Sequence, residues 1–416
     1  SWFFARKIES AENKRTRKLY MFGECIVLLG LLGYFKYAVF FLENFRMLFG
    51  VPETIPNIVL PIGISFYTFQ LLSYVVDVYR KEIKAQPVFW KLLLYSSLFH
   101  QCIAGPIVRY ETVSNEIDQR RVTQTDVYAG VRRFCIGLAK KAILANSCAE
   151  IADSLIMPGS ETLAVQTTMG LWLGMFAYML QIYLDFSAYS DMALGMGRMI
   201  GFHYLENFNY PYTARSVQDF WRRWHISLST FFRDYIYIPL GGNRCSTGRY
   251  IRNMAIVWFL TGMWHGASWN YILWGIYYLI FLLLEHFVIR ERIPGLLKYV
   301  YTLLAIFFGW VIFKFENLGE LESVLTGLFG IGTSGFLGME VSTVFLGNIF
   351  LLIFASIACT PLGKTVRQSL ARLGTRSRAA FAVFNITEMI IPPLLLILSV
   401  LALIGNSYNP FLYFQF

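Results

Sequence analysis

The sequence has few charged residues for its length. Among its 416 residues, charged side chains make up 15% and hydrophobic ones 56%, and the mean hydropathy is +0.50. Soluble globular chains ordinarily carry about 25% charged residues. The shortage of charge therefore excludes a soluble enzyme or a soluble binding module, and it indicates an integral membrane protein.

Paired cysteines, internal repeats and low-complexity linkers are also lacking. The six cysteines stand far apart and form no C-x-x-C pair, so we expect packing cysteines, without a disulfide framework or a bound metal. Because apolar segments continue without a repeat or a linker, residues 1–416 are predicted to form a single membrane domain. The sequence opens with SWFFARKIES and no initiator Met, so we expect further N-terminal helices in the native protein.

Long apolar runs are what the sequence has in abundance. Each of them approaches the roughly 20 residues that a helix needs to cross a hydrocarbon core. We predict an all-α, polytopic membrane protein with roughly ten transmembrane or re-entrant helices. The clearest runs are CIVLLGLLGYFKYAVFFL, WLGMFAYMLQIYL, YILWGIYYLIFLLL, LLAIFFGWVIF, VFLGNIFLLIFASIA and IIPPLLLILSVLALI.

The basic residues lie in the connections between these runs. The formal net charge is +10, and clusters of Lys and Arg beside membrane spans normally lie on the cytoplasmic side. We interpret them as contacts with membrane lipid rather than with nucleic acid, because no basic run is interleaved with aromatic residues in a soluble module. The clusters lie at residues 6–18, 80–84, 120–141, 244–252 and 364–378.

Two segments depart from a simple span. The apolar run FWKLLLYSSLFHQCIAGPIVRY is broken by Gly105 and Pro106, which predicts a re-entrant or kinked element. Between residues 126 and 155, apolar residues recur at intervals of three and four and are accompanied by paired basic residues. That spacing predicts an amphipathic helix near the cytoplasmic surface.

Two of the five histidines can reach one site only if the chain reverses between them. His225 and His265 are 40 positions apart, which is about 60 Å on one continuous helix. Pro239, Gly241 and Gly242 precede a polar, basic run, and this is a strong turn signal. If antiparallel helices flank the turn, both imidazoles lie roughly 22–24 Å from it. The spacing makes a two-histidine site possible without proving it.

The segment around His225 allows two interpretations. DFWRRWHISLS brings Arg222, Arg223 and three aromatic residues together. One interpretation is an interfacial helix whose long side chains extend to the headgroups. The other is an anion-recognising wall, because guanidinium groups match phosphate or carboxylate and tryptophan stacks on planar groups. The stretch DFSAYSDMALGMGR, with Asp185 and Tyr189 beside glycines, is a weak signal of a polar cavity.

Six ordered stretches, spread over most of the chain, are together more specific than any one of them. They are PIGISFYTFQLLSYVVDVYR, IAGPIVRY, YLDFSAYSDMALGMGRMIGF, NFNYPYTARSVQDFWRRWHISLSTFFRDYIYIPLGGNR, TGMWHGASWNYILWG and NPFLYFQF. On these residues the chain resembles the membrane-bound O-acyltransferase family, and most closely its bacterial alginate O-acetylation branch. One departure is LFHQCIAGPI, where the family pattern has proline in place of His100. We expect His100 to be a packing residue.

The resemblance implies which residues carry the chemistry. The catalytic histidine of WHG is matched by His265, and a second functional histidine in RRWHISLS is matched by His225. His265 would be the general base, and His225 an orienting or oxyanion-stabilising partner, with a covalent acyl-histidine as a variant. Gly266 would let the substrate or another backbone approach closely. The residues expected to bind the donor are Trp221, Arg222, Arg223, Trp264, Asp185, Tyr189, Asn243 and Arg244, with Arg249 at the cytosolic mouth.

The resemblance also implies an architecture and a reaction. The helices would surround a central funnel in a multi-pass protein of the bacterial inner membrane. An acetyl group would pass from cytosolic acetyl-CoA toward a hydroxyl of an extracytoplasmic polysaccharide, as in alginate or other exopolysaccharide biosynthesis. An exported acetyltransferase or esterase-like partner would complete the transfer, and no tightly bound cofactor is expected.

Two alternatives stay open. The first is a D-alanyl transferase of the same family, although the segment YIPLGGNR is more similar to the acetylating members. The second is a secondary transporter in which the two histidines relay protons and broken helices line a pathway. Transporters often contain two related halves, and the sequence shows none.

Overall fold

The computed structural model describes residues 1–50, 58–102, 105–289, 294–404 and 411. Within these ranges the regular structure is helical. π-Helical turns at Gly33–Tyr37, Lys140–Ala145, Arg233–Tyr237 and Glu285–Ile289 and a 3₁₀ turn at Pro211–Thr213 join or extend helices. The α-helices are α1 Trp2–Ser10, α2 Lys14–Leu32, α3 Ala38–Phe49, α4 Ile64–Arg80, α5 Phe89–Ser97, α6 Tyr110–Asp118, α7 Gln124–Ala139, α8 Asn146–Ile156, α9 Glu161–Ala164, α10 Thr168–Met199, α11 Val217–Arg223, α12 Ile226–Phe232, α13 Thr247–His265, α14 Trp269–Leu284, α15 Gly295–Lys314, α16 Leu318–Gly327, α17 Met339–Ala358, α18 Leu362–Gly374 and α19 Arg378–Ile404.

Five helical stretches are long and apolar enough to cross a membrane, and their apolar side chains are largely exposed. Other long helices, among them α4, α10 and α13, carry buried polar side chains and pack inside the molecule. The predicted all-α, multi-pass membrane architecture is confirmed. The five stretches are Lys14–Phe49, Trp269–Ile289, Gly295–Lys314, Met339–Ala358 and Arg378–Ile404.

Helix α7 starts the segment that was predicted to be an amphipathic surface helix. Thr123 and Asp126 form a capping box at its first turn, and the hydrogen bond from the Thr123 hydroxyl lowers the pKa of Asp126 to about 2. Farther along, a Cβ on Gly130 would stand 2.7 Å from the carbonyl oxygen of Gly195 in α10. The two helices therefore touch backbone to backbone on one face of α7, whereas Val127, Tyr128 and Val131 are exposed. The position of α7 relative to the membrane surface stays a prediction.

Basic residues of the same segment pair with acidic residues of α10. Lys140 and Arg133 contact Asp191 at 2.7 and 2.8 Å, and Lys141 contacts Asp185 at 2.6 Å. A buried charge is tolerated when a partner of opposite sign compensates its lost hydration. These pairings join α7 and the π-helical turn after it to the centre of the molecule.

The predicted break near Gly105 and Pro106 is present. The chain leaves α5 at Ser97 and becomes helical again at Tyr110, with residues 103 and 104 outside the described ranges. The non-helical stretch reaches the centre of the molecule, where the backbone N–H of Ile107 donates to the hydroxyl of Ser227 at 2.9 Å.

The predicted reversal between the two central histidines is also present. A turn between the π-helical turn after α12 and the start of α13 contains Gly241 at φ +109° and Gly242 at φ +57°, values that glycine adopts without strain. His225 itself lies between two helices, because α11 ends at Arg223 and α12 begins at Ile226.

Candidate active site

His265 is the last residue of α13 and lies in an aromatic pocket. Its ring packs against Trp264, Trp274 and Phe313, with centroid distances of 5.0, 4.8 and 5.2 Å. The side chain is 8% exposed, and its Nε2 atom has no hydrogen-bond partner among the described residues. A buried ring nitrogen without a protein partner is available to a substrate proton.

His225 occupies the break between α11 and α12. It has a left-handed backbone at φ +44° and is buried. Residues 207–209 hold this conformation, because the N–H of Ile226 donates to the carbonyl of Asn207 and the N–H of Asn209 donates to the carbonyl of Arg223, each at 2.9 Å. The break is therefore a structured feature with its backbone groups paired.

The side chain of Asn207 determines which nitrogen of His225 carries hydrogen. Oδ1 of Asn207 accepts the backbone N–H of Ser227 at 3.1 Å and the Ser227 hydroxyl at 2.8 Å, so this atom is the amide oxygen. Nδ1 of His225 lies 3.2 Å from the same oxygen and must be its donor in the neutral ring. The Nε2 atom of His225 is then a proton acceptor, and it has no partner in the described part of the chain.

The indole of Trp264 connects the two imidazoles. Its ring centroid lies 5.6 Å from that of His225 and 5.0 Å from that of His265, with edge-to-face geometry in both contacts. The two imidazole centroids cannot be farther apart than the sum of those distances. The structure thus brings the two predicted histidines into one buried site, where the Nε2 atom of each has no hydrogen-bond partner among the described residues.

Comparisons with known proteins identify what this site belongs to. The family model described as MBOAT, membrane-bound O-acyltransferase family, matches residues 79–313, which include both histidines. The chain belongs to the membrane-bound O-acyltransferase family. It is 37% identical to the probable alginate O-acetylase AlgI of Azotobacter vinelandii over 94% of this chain and 83% of that protein. The corresponding Pseudomonas aeruginosa protein is 35% identical over 100% of this chain and 89% of its own length.

Two proteins that are named for other polymers are also similar to this chain. The peptidoglycan O-acetyltransferase of Helicobacter pylori is 33% identical over 80% of this chain and 68% of that protein. The teichoic acid D-alanyltransferase of Bacillus subtilis is 26% identical over 62% of this chain and 69% of that protein. The chain is thus an enzyme of the O-acyltransferase family, and its resemblance to that family is confirmed.

Two of the predicted donor-binding aromatics of this O-acyltransferase lie beside the histidines. Trp264 contacts both imidazoles, and Trp221 packs against Trp274, a neighbour of His265, at a centroid distance of 5.3 Å. Glycine at position 266 makes room for the ring of Tyr271, since a Cβ there would stand 2.2 Å from that ring. In this structure a side chain occupies the space expected for a substrate or another backbone.

The predicted arginines are divided between two places. Arg222 is exposed at the end of α11, and Arg223 pairs with Asp219 at 2.9 Å. Asn243 and Arg244 are exposed in the turn before α13, about 27 Å along that helix axis from its C-terminal residue. These residues do not form one cluster with the histidines.

The two predicted residues of α10 already have other contacts. The carboxylate of Asp185 pairs with Lys141 at 2.6 Å. The ring of Tyr189 packs against Phe411 at a centroid distance of 5.1 Å, and Phe411 is the one residue of the motif NPFLYFQF that the structure describes. These contacts connect the centre of the enzyme to its C-terminal motif.

The other three histidines lie elsewhere in the O-acyltransferase. Nε2 of His100 lies 2.5 Å from the hydroxyl of Tyr204, His203 pairs with Glu116 at 2.7 Å, and the ring of His286 packs on Tyr250. A cavity of about 480 Å³ adjoins Glu285 at the end of α14, about 17 Å along that helix from Trp274, which contacts His265.

Asn207 is a site residue that the sequence analysis missed. It lies inside the quoted motif beginning NFNYPY, but nothing in its spacing from His225 indicates that the two side chains meet. The one signal in the sequence was that Asn, whose short polar side chain often bonds to backbone groups in turns, lies where the chain leaves α10 and has to turn. Only the tertiary pairing of residues 207–209 with the helix break identifies its role.

Proposed function

We propose that this O-acyltransferase transfers acetyl groups from acetyl-CoA toward hydroxyl groups of an extracytoplasmic polysaccharide. The relatives that cover most of the chain are named alginate O-acetylase and peptidoglycan O-acetyltransferase, and both names specify O-linked acetyl groups. The observation that carries the proposal is the buried imidazole of His265 with an open Nε2 atom. An alcohol needs such a base before it can attack a thioester.

In the proposed reaction, His265 is the general base. Its Nε2 takes the proton from the acceptor hydroxyl as the oxygen forms a bond to the acetyl carbonyl carbon. The tetrahedral intermediate then collapses, the carbon–sulfur bond breaks, and the imidazolium returns the proton to the leaving thiolate. The products are an acetyl ester and free CoA. Aromatic rings around His265 exclude water, which favours attack by the bound hydroxyl over hydrolysis.

His225 is proposed to orient the acceptor or to stabilise the intermediate. Its Nδ1–H is held by Asn207, so its Nε2 can accept a hydrogen bond from the acceptor hydroxyl in the neutral ring. Protonated, the same nitrogen would donate to the developing oxyanion. Either role requires the ring to stay where the helix break places it.

The donor is proposed to enter from the side of the basic turn before α13. Arg244 in that turn and Arg249 in the first turn of α13 are exposed, and neither forms an ion pair with a described residue. Their charges would attract the phosphates of acetyl-CoA. We assign the protein to the bacterial cytoplasmic membrane, and we expect an exported acetyltransferase partner to deliver the acetyl group to the polymer.

Replacing His265 tests the assignment of the base. We expect His265→Ala, reconstituted in proteoliposomes with labelled acetyl-CoA and the polysaccharide acceptor system, to lose about 10²–10⁴-fold in kcat, the range that general base catalysis supplies. Release of CoA and retention of label on polymer are measured together. The melting profile of the purified variant, compared with that of the unmodified protein, controls for folding.

The outcome for His225→Ala separates the two histidines. We expect a large but incomplete loss, because the base remains while its partner is gone. Unchanged polymer acetylation in folded His265→Ala would contradict the proposal. Label retained on the unmodified protein after denaturation, and absent from His265→Ala, would replace general base catalysis by a covalent acyl-histidine.

The D-alanyl transferase relatives define a second candidate donor. They cover less of this chain and are less identical to it than the O-acetylating relatives. Competition between labelled acetyl and D-alanyl thioesters in the same proteoliposomes decides between the two reactions. Preferential transfer of D-alanine would overturn the choice of donor and leave the two-histidine site in place.

A further inference from the structure

Lys36 is an ionisable residue inside an apolar run. It lies in the π-helical turn Gly33–Tyr37, in the middle of the membrane-spanning stretch Lys14–Phe49. Charged side chains within such a stretch are costly and usually face a functional site or a partner. Single π-helical turns also occur frequently at functional sites. The contacts of the Lys36 side chain therefore indicate its role.

The ammonium of Lys36 is directed at the end of α13. Nζ donates to the carbonyl of Trp264 at 2.5 Å, and it lies 3.4 Å from the carbonyl of His265 and 3.4 Å from the hydroxyl of Ser65. It also stands 5.8 Å from the centroid of the Trp264 ring. An ammonium has three donor hydrogens, and these three oxygens match them in number.

The carbonyls at this helix end need such donors. The last four carbonyls of an α-helix have no partner within the helix, and the helix dipole gives this end a partial negative charge. The neighbouring Tyr37 donates its hydroxyl to the carbonyl of Met263 at 2.6 Å. One turn of the first spanning stretch thus supplies donors to the last three residues of α13.

The partners of Lys36 are neutral oxygens rather than a carboxylate. No Asp or Glu of the described ranges lies within ion-pair distance of its ammonium. The carbonyls at the end of α13 therefore compensate the positive charge of Lys36. Through these contacts Lys36 is hydrogen-bonded to the backbone that carries the His265 ring.

We propose that Lys36 is a positioning residue, which fixes the imidazole of His265 by holding the carbonyls of Trp264 and His265. This inference rests on the proposed role of His265 as the base. The same contacts also hold the Trp264 ring, which packs against both imidazoles. Misplacement of a catalytic group by about 1 Å can cost about 100-fold in rate.

The test compares lysine, methionine and arginine at position 36. We expect Lys36→Met to lose about 100-fold in kcat for labelled acetyl-CoA, because the His265 ring is misplaced. KM for acetyl-CoA should change by less than about threefold, because the basic turn proposed to receive the CoA phosphates is untouched. Lys36→Arg retains a cationic donor for the carbonyls and should recover most of the lost kcat. Lys18→Met, on an exposed turn of the same spanning stretch, is the matched control and should have unchanged kinetics.

Two results would overturn the positioning role. One is an unchanged kcat in Lys36→Met; the other is equal loss in Lys36→Met and Lys36→Arg, which would show that a cationic donor to the helix end does not matter. If Lys36→Met does not purify as a folded protein, Lys36→Gln replaces it in the same comparison. Full activity of His265→Ala would show that His265 is not the base, and the proposed function would fail with it. An inactive His265→Ala beside a fully active Lys36→Met would overturn only the role of Lys36.

Discussion

The backbone of His225 is held in a conformation that a histidine rarely adopts. A non-glycine residue in the left-handed region costs about 1–3 kcal/mol and persists only where its surroundings determine it. Here Asn207 and the backbone of residues 207–209 supply those constraints. The strain lies at the residue whose ring must face the site, and the geometry of that ring depends on one amide oxygen.

Removing that oxygen should therefore reduce catalysis and stability together. In Asn207→Ala, the N–H groups of His225 and Ser227 lose their acceptor, and the imidazole is free to rotate or change tautomer. We expect about a 100-fold loss in kcat and a loss of about 1–3 kcal/mol in the free energy of unfolding. Acetyl transfer in proteoliposomes and denaturant unfolding in detergent measure the two quantities.

A carboxylate at the same position separates these effects. Asn207→Asp keeps an acceptor for both N–H groups, so it should retain more activity than Asn207→Ala. Asn115→Ala, at an exposed position of α6, is the control for a neutral asparagine change. Equal kcat in Asn207→Ala and the unmodified protein would show that the tautomer of His225 does not matter for the reaction.

At the scale of elements, the reversal before α13 could be predicted and the interruption at His225 could not. Pro239, Gly241 and Gly242 have local conformational preferences, so their effect is visible in the sequence. The interruption depends instead on hydrogen bonds to residues some 20 positions away. The residues at the interruption include neither glycine nor proline. The contact of Lys36 with α13 is likewise unpredictable, because it joins residues 228 positions apart.

The α13–α14 hairpin depends on glycine at its contact. A Cβ on Gly262 would stand 2.4 Å from the carbonyl oxygen of Tyr271, and one on Gly275 would stand 2.5 Å from that of Trp258. Small residues allow helices to approach this closely inside a membrane. Because backbone atoms fill both positions, neither glycine can be replaced without moving the helices apart.

Gly262→Ala should displace α14 and, with it, the His265 pocket that Trp274 lines. We expect a loss of about 1–3 kcal/mol in stability and a clear fall in kcat, measured by thermal unfolding and acetyl transfer. Gly248→Ala, near the start of the same helix, is the matched control because a Cβ there meets nothing within 4 Å. A Gly262→Ala variant as stable and active as Gly248→Ala would contradict this account of the hairpin.

At the scale of the whole molecule, the basic turn and the two histidines lie at opposite ends of α13. His265 is 18 residues from Thr247, or about 27 Å along the axis, which approaches the thickness of a hydrocarbon core. Arg244 and Arg249 are exposed at the basic end, which the proposed function assigns to the cytoplasmic side. Entry of the donor beside Arg244 and Arg249, as proposed, requires its acetyl end to reach a site about 27 Å away along α13.

This separation predicts a fixed sidedness for the donor. With Asn243→Cys introduced in a Cys245→Ser background, a membrane-impermeant maleimide should label the basic turn in inside-out vesicles and leave it unlabelled in right-side-out ones. Acetyl-CoA added to the outside should be consumed only by the vesicles that label, because its charged phosphates cannot cross the hydrocarbon core. The Cys245→Ser protein without the added cysteine measures background labelling. Consumption of acetyl-CoA from the face opposite the labelled turn would show that the donor reaches His265 without passing the basic end of α13, and that the arginines there serve the membrane surface alone.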